Sequence, residues 1–423
     1  MPYLALGILT GTALLVAVSY LRFRDALYPT VIHAGIWGTV LFLYCLTTES
    51  FLPLSGQTLF IFLSGMVAFA AGCYLVTWNL SVEEAPELRA RAAKSHWLLS
   101  AIFWINIAGL PVSILSAVRA VSGGPTESFL INLRLLETSA AGDRYIWNYL
   151  VLLSLLSCGL HLLAIDERRK HSGRMRFAVS IAVALVYSLL NTGRTWFVHL
   201  LIFLVALAVA TRRIPARRAL LYVFGIGILI FSTIALLLNK GGSLESGLAQ
   251  NVHSVGTAFQ TYLLGPLPSF DIFMRHQGSL QWGSNVFRSL WLLTDKLGFE
   301  TPAPPLVHQF VNVPYPSNVY TLYRPYFEDF GFLGAIVMPF FLGIFHGWLY
   351  GKMKEGDPFF LCMYALSLNS LALQFFQELY FATISQWLQT AAILLIYFFF
   401  AERNSPSAKL SMLPLKAPTA DAT

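Results

Sequence analysis

The chain has 423 residues, of which 56% are hydrophobic and only 12% are charged. Soluble domains contain about 25% charged residues, so this composition excludes a water-soluble enzyme as well as a disordered or disulfide-rich chain. A polytopic membrane protein remains. Its net charge of +7 is then expected to come from lysine and arginine on the cytoplasmic side, with no nucleic-acid partner.

Eleven segments are long and apolar enough to cross a bilayer as helices, which takes about 20 residues each. They cover roughly residues 2–20, 29–48, 57–78, 96–118, 145–165, 176–193, 195–211, 219–238, 331–351, 358–378 and 384–401. The predicted fold class is an all-α polytopic integral membrane protein with about 11 transmembrane helices and one large external loop.

Basic residues alternate between the connections of these helices. One set of alternate connections holds 19 of the 28 lysines and arginines, including the runs 168–176 and 212–218. Because lysine and arginine are retained on the cytoplasmic side of short loops, the alternation predicts an outside N-terminus and an inside C-terminus.

An apolar run over residues 177–210 is interrupted only by Asn191, Thr192, Gly193 and Arg194. As one helix it would be about 51 Å long, too long for a single crossing, and both of its flanks are basic. We therefore predict a tight hairpin with Arg194 at its outer tip. An unpaired guanidinium at this depth costs at least about 2.5 kcal/mol, so Arg194 either snorkels to lipid headgroups or binds an anion.

Two connections are too long for simple turns. In residues 119–144 we predict an amphipathic helix, containing Phe129, Leu133 and Leu136, that lies along the outer interface. Residues 239–330 are predicted to fold into the large external loop. The chain then divides into eight helices over 1–238, the external loop over 239–330, three helices over 331–401 and a cytoplasmic tail over 402–423.

Nine basic residues fall on the predicted outer side, and seven of them are arginines. The planar guanidinium makes two parallel hydrogen bonds to phosphate, which the point charge of lysine does not reproduce. The nine are Arg119, Arg134, Arg144, Arg194, Lys240, Arg275, Arg288, Lys296 and Arg324. With neighbouring carboxylates, amides and tyrosines they would suit a lipid-linked glycan, and also an ordinary polar interface.

Polar and aromatic residues are densest over 314–334, which lead into the ninth span. Arg324 precedes Pro325, and a residue before proline disfavours helix, so we expect Arg324 on irregular backbone. Glu328 and Asp329 are expected in the first turn of the following helix, where a carboxylate can cap the helix.

Three more residues of the outer side have expected roles. Gly331 and Gly334 are expected to allow close packing between helices. Glu378 is an acid at the end of an apolar helix, and we expect it either to pair with an external arginine or to contact a sugar.

Three short motifs and the topology together resemble the Wzy-type oligosaccharide repeat unit polymerases, or O-antigen polymerases. The motifs are Asn-Thr-Gly-Arg-Thr at 191–195, Ser-Asn-Val-Tyr-Thr at 317–321 and Phe-Glu-Asp-Phe-Gly-Phe-Leu-Gly at 327–334. The related O-antigen ligases typically carry His-Asn where this chain has Ser317-Asn318. The paired Arg-x10-Gly motifs of one Wzy branch are absent from the sequence, since the positions eleven beyond Arg194 and Arg324 are Val205 and Ala335.

This resemblance implies an integral-membrane glycosyltransferase of GT-C-like architecture in the bacterial inner membrane, with its active site facing the periplasm. Its substrates would be undecaprenyl diphosphate-linked repeat units, joined into a surface polysaccharide. A flippase and a chain-length regulator would be its partners, besides membrane lipid. We expect it to need no metal or other cofactor, because the external histidines lack the spacing of metal ligands and arginines can supply the positive charge.

The residue roles follow from the same resemblance. Arg194 and Arg324 are assigned to the diphosphate, with Arg288 and Arg275 as further candidates. Asp329 or Glu328 would accept the acceptor proton or position the substrate. Sugar contacts are expected from Asn318, Tyr320, Tyr323, Tyr326 and Glu378.

Two alternative functions stay open at this point. One is an O-antigen ligase-like transferase, which would use the same lipid-linked donor. The other is a transporter or flippase for the lipid-linked glycan, which would be expected to show broken helices or charges near the bilayer midplane and repeated halves.

Overall fold

The computed structural model describes residues 2–47, 51–80, 97–138, 145–165, 170–237, 248–299, 303–305 and 308–403. In these ranges the helices are α1 (Pro2–Phe23), α2 (Pro29–Leu46), α3 (Gly56–Thr77), α4 (Trp97–Val121), α5 (Phe129–Thr138), α6 (Ile146–Leu163), α7 (Lys170–Leu190), α8 (Arg194–Ala210), α9 (Ala216–Leu237), α10 (Leu248–Leu264), α11 (Pro266–His276), α12 (Arg288–Lys296), α13 (Tyr323–Lys354), α14 (Pro358–Ala372) and α15 (Ile384–Arg403). Strands β1 (Val311–Asn312) and β2 (Pro316–Ser317) form one short antiparallel pair.

The helices confirm the predicted fold class. Among the described residues, nine helices have the length and apolar composition of a membrane span, and α8 and α14 are shorter apolar helices. Together they account for all eleven predicted spans. The predicted hairpin is formed by α7 and α8, and an amphipathic helix within 119–144 is present as α5. Arg144, Lys240 and the tail residues 404–423 lie outside the described residues.

Hydrogen bonds between connections define the first of the two ends of the helix bundle. The Asp25 carboxylate, between α1 and α2, accepts from the Tyr350 hydroxyl at 2.9 Å and pairs with Lys354 at 2.6 Å near the end of α13. The Tyr364 hydroxyl of α14 donates to the Leu27 carbonyl. We call this the basic end, because the connections that meet here belong to the basic set.

The opposite end collects the long connections, and we call it the loop end. Here the Ser55 hydroxyl, just before α3, donates to the Asp271 carboxylate of α11. The Leu322 amide, just before α13, donates to the Gln374 carbonyl after α14 at 2.9 Å. Segments that are far apart in sequence are therefore held together at the loop end.

The centre of the bundle is a close contact between α3 and α13. A Cβ placed on Gly72 of α3 would lie 2.1 Å from the Phe340 carbonyl oxygen, and one on Gly343 of α13 would lie 2.1 Å from the Phe69 carbonyl oxygen. Only residues without a side chain let the two backbones approach so closely. This contact fixes α13 against the bundle, and with it the polar segment that leads into α13.

A break at Gly331 sets the direction of that segment. Gly331 has φ 63° and ψ −150°, a conformation that is accessible to glycine and strained for other residues. A Cβ on Gly334 would lie 2.3 Å from the Tyr326 carbonyl oxygen, so its close approach is within α13 itself. The expectation that Gly331 and Gly334 serve packing between helices is therefore wrong: they allow the kink.

The expectation of irregular backbone at Arg324 is also wrong. Helix α13 begins at Tyr323, so Arg324 and Pro325 lie in its first turn. Proline is tolerated there because the first N–H groups of a helix have no partner within the helix. Glu328 and Asp329 consequently lie in the second turn rather than the first.

The predicted orientation can be tested at the two ends of α13. Ser279 and Glu355 are exposed, and each lies near a different end of this helix. With the four native cysteines replaced, Ser279→Cys is expected to react with a membrane-impermeant maleimide from the periplasmic side, and Glu355→Cys only after permeabilisation, because the charge alternation predicts a cytoplasmic basic end. Labelling of both positions from the same side would contradict this orientation.

Candidate active site at the loop end

Arg194 is the first residue of α8, directly after the turn that joins it to α7. In this turn Thr192 adopts a left-handed backbone conformation with φ 49°. The Asn191 side chain donates a hydrogen bond to the Tyr187 carbonyl at 2.8 Å. Asn148 of α6 donates to the Asn191 amide oxygen at 2.9 Å, which ties the turn to a third helix. The position of Arg194 is thus fixed by a rigid turn.

The Arg194 guanidinium lies in an aromatic cage, formed by Phe231 of α9 and Tyr262 of α10. Its central carbon lies 4.1 Å from the Phe231 ring centroid and 5.1 Å from the Tyr262 centroid. All three of its nitrogens are buried and have no hydrogen-bond partner among the described residues. Cation–π contact stabilises the charge but uses none of the N–H groups. These groups can still donate hydrogen bonds to a phosphate.

A second aromatic cage surrounds Arg324. Its guanidinium carbon lies 3.9 Å from the Tyr320 ring centroid and 4.4 Å from the ring centroid of Phe273 on α11. Nε donates to the Glu328 carboxylate at a long 3.4 Å, whereas Nη1 is buried and has no partner among the described residues. The Tyr320 hydroxyl donates to the Gln309 carbonyl at 2.9 Å, which fixes the ring under the guanidinium.

His308 adds no charge to the Arg324 cage. Its ring lies edge-on to Tyr320, with centroids 5.5 Å apart. Burial, and then the positive charge of Arg324, lower the pKa of His308 to about 4. The imidazole is therefore neutral at pH 7, and Arg324 is the cation of this cage.

The two adjacent carboxylates have different surroundings. Asp329 is fully buried and accepts hydrogen bonds from the Asn285 amide at 3.1 Å, the Asn285 side chain at 2.8 Å and the Val286 amide at 2.7 Å. It therefore holds the loop before α12, and the expectation that it caps its own helix is wrong. Glu328 has a side chain that is 20% exposed, and Arg324 contacts it.

The remaining candidate arginines each bind another residue of the chain near its surface. Arg275 pairs with Asp271, and 51% of its side chain is exposed. Arg288 donates through Nε to the Pro304 carbonyl at 2.7 Å. Asn318 is half-buried next to the β1–β2 pair. These residues lie at the loop end, outside the two cages.

Three residues that are predicted to contact sugar have buried side chains: Tyr323, Tyr326 and Glu378. Tyr323 is fully buried, with its ring centroid 5.4 Å from those of Trp37 and Phe62. Tyr326 is also fully buried, and its hydroxyl donates to Glu378 at 3.3 Å.

Glu378 holds the turn between α14 and α15. It accepts from the backbone amides of Tyr380, Phe381 and Ala382 at 2.6 to 2.8 Å. Burial raises the pKa of this carboxyl, although the amide donors oppose the shift. Its donors are these amides and a tyrosine hydroxyl, not an arginine.

The structure thus groups Arg324, Glu328 and Tyr320 in one cage and places Arg194 in another. The two cages are linked, because α10 supplies Tyr262 to one and α11, which follows after Gly265, supplies Phe273 to the other. The cage rings were not predicted from the sequence as partners of the arginines. The available signal was the aromatic residues of the 239–330 segment, which include Tyr262, Phe273 and Tyr320, whereas Phe231 lies before that segment. No group of three or more potential metal-ligating His, Cys, Asp or Glu side chains occurs among the described residues.

The fold is that of a polytopic all-α membrane protein. Its buried guanidinium groups lie at the loop end of the helix bundle. The chain is similar to an O-antigen polymerase from Shigella dysenteriae, with 23% identity over 357 residues that span 83% of this chain and 86% of that protein. This similarity confirms the resemblance to the O-antigen polymerases. No family model matches the chain, and no solved structure matches it.

The role of Asp329 leads to a prediction on stability. Asp329→Asn is expected to lower the free energy of unfolding by about 2–3 kcal/mol, because an amide nitrogen would face backbone donors and a charged acceptor is lost. Thermal unfolding in detergent measures the change. The matched control Glu328→Gln is expected to stay within about 0.5 kcal/mol of the wild type, since its side chain makes one long hydrogen bond. An unchanged unfolding midpoint in Asp329→Asn would refute the positioning role.

Proposed function

We propose that this protein polymerises undecaprenyl diphosphate-linked oligosaccharide repeat units into an O-antigen or a similar surface polysaccharide. The observation that carries the proposal is the pair of aromatic cages, in which Arg194 and Arg324 keep buried N–H donors that have no partner among the described residues. The similarity to an O-antigen polymerase over 83% of the chain supports the same reaction class. We place the reaction at the periplasmic face of the inner membrane, because the charge alternation orients the loop end outward.

The reaction is a glycosyl transfer with a lipid diphosphate as leaving group. A hydroxyl oxygen of the acceptor repeat unit bonds to the anomeric carbon of the donor sugar. The bond from that carbon to the phosphate oxygen breaks, and its electron pair leaves with undecaprenyl diphosphate. The protein has to neutralise the charge that develops on the diphosphate and to hold the two substrates in line.

Arginine cages meet the first requirement. A guanidinium shielded from water interacts with phosphate more strongly than one in bulk solvent, because the local dielectric is low. Its position is set in advance by the rings beneath it, so little reorganisation is needed when the charge develops. We assign Arg194 and Arg324 to diphosphate binding. Arg275 and Arg288, which are more exposed, would attract the anionic substrates to the loop end.

We assign Glu328 as the base that accepts the proton of the acceptor hydroxyl. Asp329 accepts three hydrogen bonds from the loop before α12, so it is committed to positioning. Glu328 has one long contact, to Arg324, and part of its side chain is exposed. A carboxylate in that state can accept a proton within hydrogen-bond reach of a substrate.

The alternative functions are less well supported. A ligase-like transferase would share the diphosphate chemistry, but the chain has Ser317-Asn318 where those proteins typically carry His-Asn. A transporter would need polar sites near the bilayer midplane, whereas the two cages lie at the loop end. We therefore favour the polymerase.

Substitution of the caged arginines tests this proposal. Arg194→Ala and Arg324→Ala are each expected to reduce polymerisation by about 100-fold or more, because a charge-stabilising donor is lost. The Lys variants should recover activity only in part, since an ammonium cannot span two phosphate oxygens. Long-chain glycan is measured with purified protein and lipid-linked repeat units, with excess EDTA in a parallel reaction to test the expected metal independence.

Arg176→Ala is the matched control, because Arg176 lies 5.6 Å from the Phe103 ring centroid but at the basic end. It should polymerise like the wild type. Full activity of both caged-arginine Ala variants would refute the proposed site. Loss of polymerisation activity with EDTA and its recovery with Mg²⁺ would refute the expected metal independence and leave the proposed arginine site standing.

A further inference from the structure

A half-open cavity without charged lining residues lies beside the Arg194 cage. It has a volume of about 190 Å³ and is bounded by α6, α8, α14, α15 and the turn before α15. Thr195 and Trp196, the two residues that follow Arg194 on α8, line one side of it. Tyr262 of the cage stacks on Phe376 with ring centroids 5.7 Å apart, and the next residue, Gln377, lines the cavity. A ligand group in this cavity would therefore lie close to an anion held at Arg194.

The lining of the cavity combines a larger apolar surface with neutral polar groups. All of its lining residues lie in the described ranges, and none is Asp, Glu, Lys or Arg. Side-chain amides, hydroxyls and an imidazole supply the polar groups, among them His199, Asn369, Gln377 and Gln386. An anion would find no counter-charge here, and a hydrocarbon chain would leave these groups without hydrogen bonds.

Two polar atoms of the lining have no hydrogen-bond partner in the described part of the chain. Nε2 of His199 and Oδ1 of Asn369 are buried and make no hydrogen bond within the described residues. Asn369 is only 4% exposed. A buried polar atom that stays unsatisfied is destabilising, so both atoms favour a ligand with donors and acceptors.

Two tryptophan rings complete the cavity. Trp196 lies on the α8 side, nearly parallel to the His199 ring with centroids 6.0 Å apart. Trp387 lies on the α15 side, where its Nε1 donates to the Leu379 carbonyl at 3.2 Å and fixes the indole. Flat apolar faces between hydrogen-bonding groups match a ring that is polar at its edge and apolar on its faces.

The size of the cavity limits what it can hold. Liquid water occupies about 30 Å³ per molecule, so the volume is that of about six waters. One sugar ring fits such a space, and the rest of an oligosaccharide would extend through its open side.

We infer that this cavity binds the sugar ring that is bonded directly to the diphosphate held at Arg194. The inference rests on the proposed function, because it takes the lipid diphosphate as the ligand of that arginine. Specificity for the first sugar of the repeat unit then resides in neutral groups of α8, α14 and α15, whereas the affinity for diphosphate resides in the cage.

Binding measurements with two lipids separate these contributions. The probes are undecaprenyl diphosphate and the undecaprenyl diphosphate-linked repeat unit extracted from the source strain, each titrated against purified protein in nanodiscs. Gln386→Leu and Thr390→Val remove polar groups of the lining at similar volume. Gln389→Leu is the matched control, since Gln389 is on the same helix but does not line the cavity.

Each cavity variant is expected to weaken binding of the repeat-unit lipid at least tenfold and to change binding of undecaprenyl diphosphate less than twofold. Gln389→Leu should bind both lipids like the wild type. Equal losses for both lipids, or no loss for either, would overturn the sugar assignment and leave the proposed function standing. If the wild type fails to bind undecaprenyl diphosphate, the proposed function fails, and this inference fails with it.

Discussion

The structure depends on the burial of two guanidinium groups among aromatic rings at one end of a helix bundle. Arginine that is removed from water needs either an anion or polarisable neighbours. Phe231 and Tyr262 supply such neighbours to Arg194, and Phe273 and Tyr320 supply them to Arg324. The rings stabilise the cations and leave N–H groups that can donate to a ligand. In the function that we propose, binding of an anion completes this site.

The arrangement of the cages follows from the surrounding backbone. The break at Gly331 lets the first turns of α13 lie over the loop end, and Asp329 then clamps the loop before α12 against them. The contact between α3 and α13 through Gly72 and Gly343 holds this assembly on the bundle. Residues that touch no substrate in our account thus determine where Arg324 and Glu328 lie.

Much of the fold could be predicted because its signals are local. Length and apolar composition identify each span, and the basic flanks of 177–210 identify a hairpin with Arg194 at its turn. The cages could not be predicted, since the rings that meet Arg194 come from helices about 40 and 70 residues further along the chain. Local rules also misled at Pro325, where the tolerance of a first helical turn outweighs the usual effect of proline on its predecessor. Asp329 looked like a helix cap because its true donors, Asn285 and Val286, are distant in sequence.

The most direct measurement of the central claim is an electron cryo-microscopy structure of the protein in nanodiscs with undecaprenyl diphosphate. Our account predicts phosphate oxygens within about 2.7–3.2 Å of the guanidinium nitrogens of Arg194 or Arg324, with the aromatic rings still beneath them. A diphosphate bound at the basic end, or at the loop end away from both cages, would contradict it.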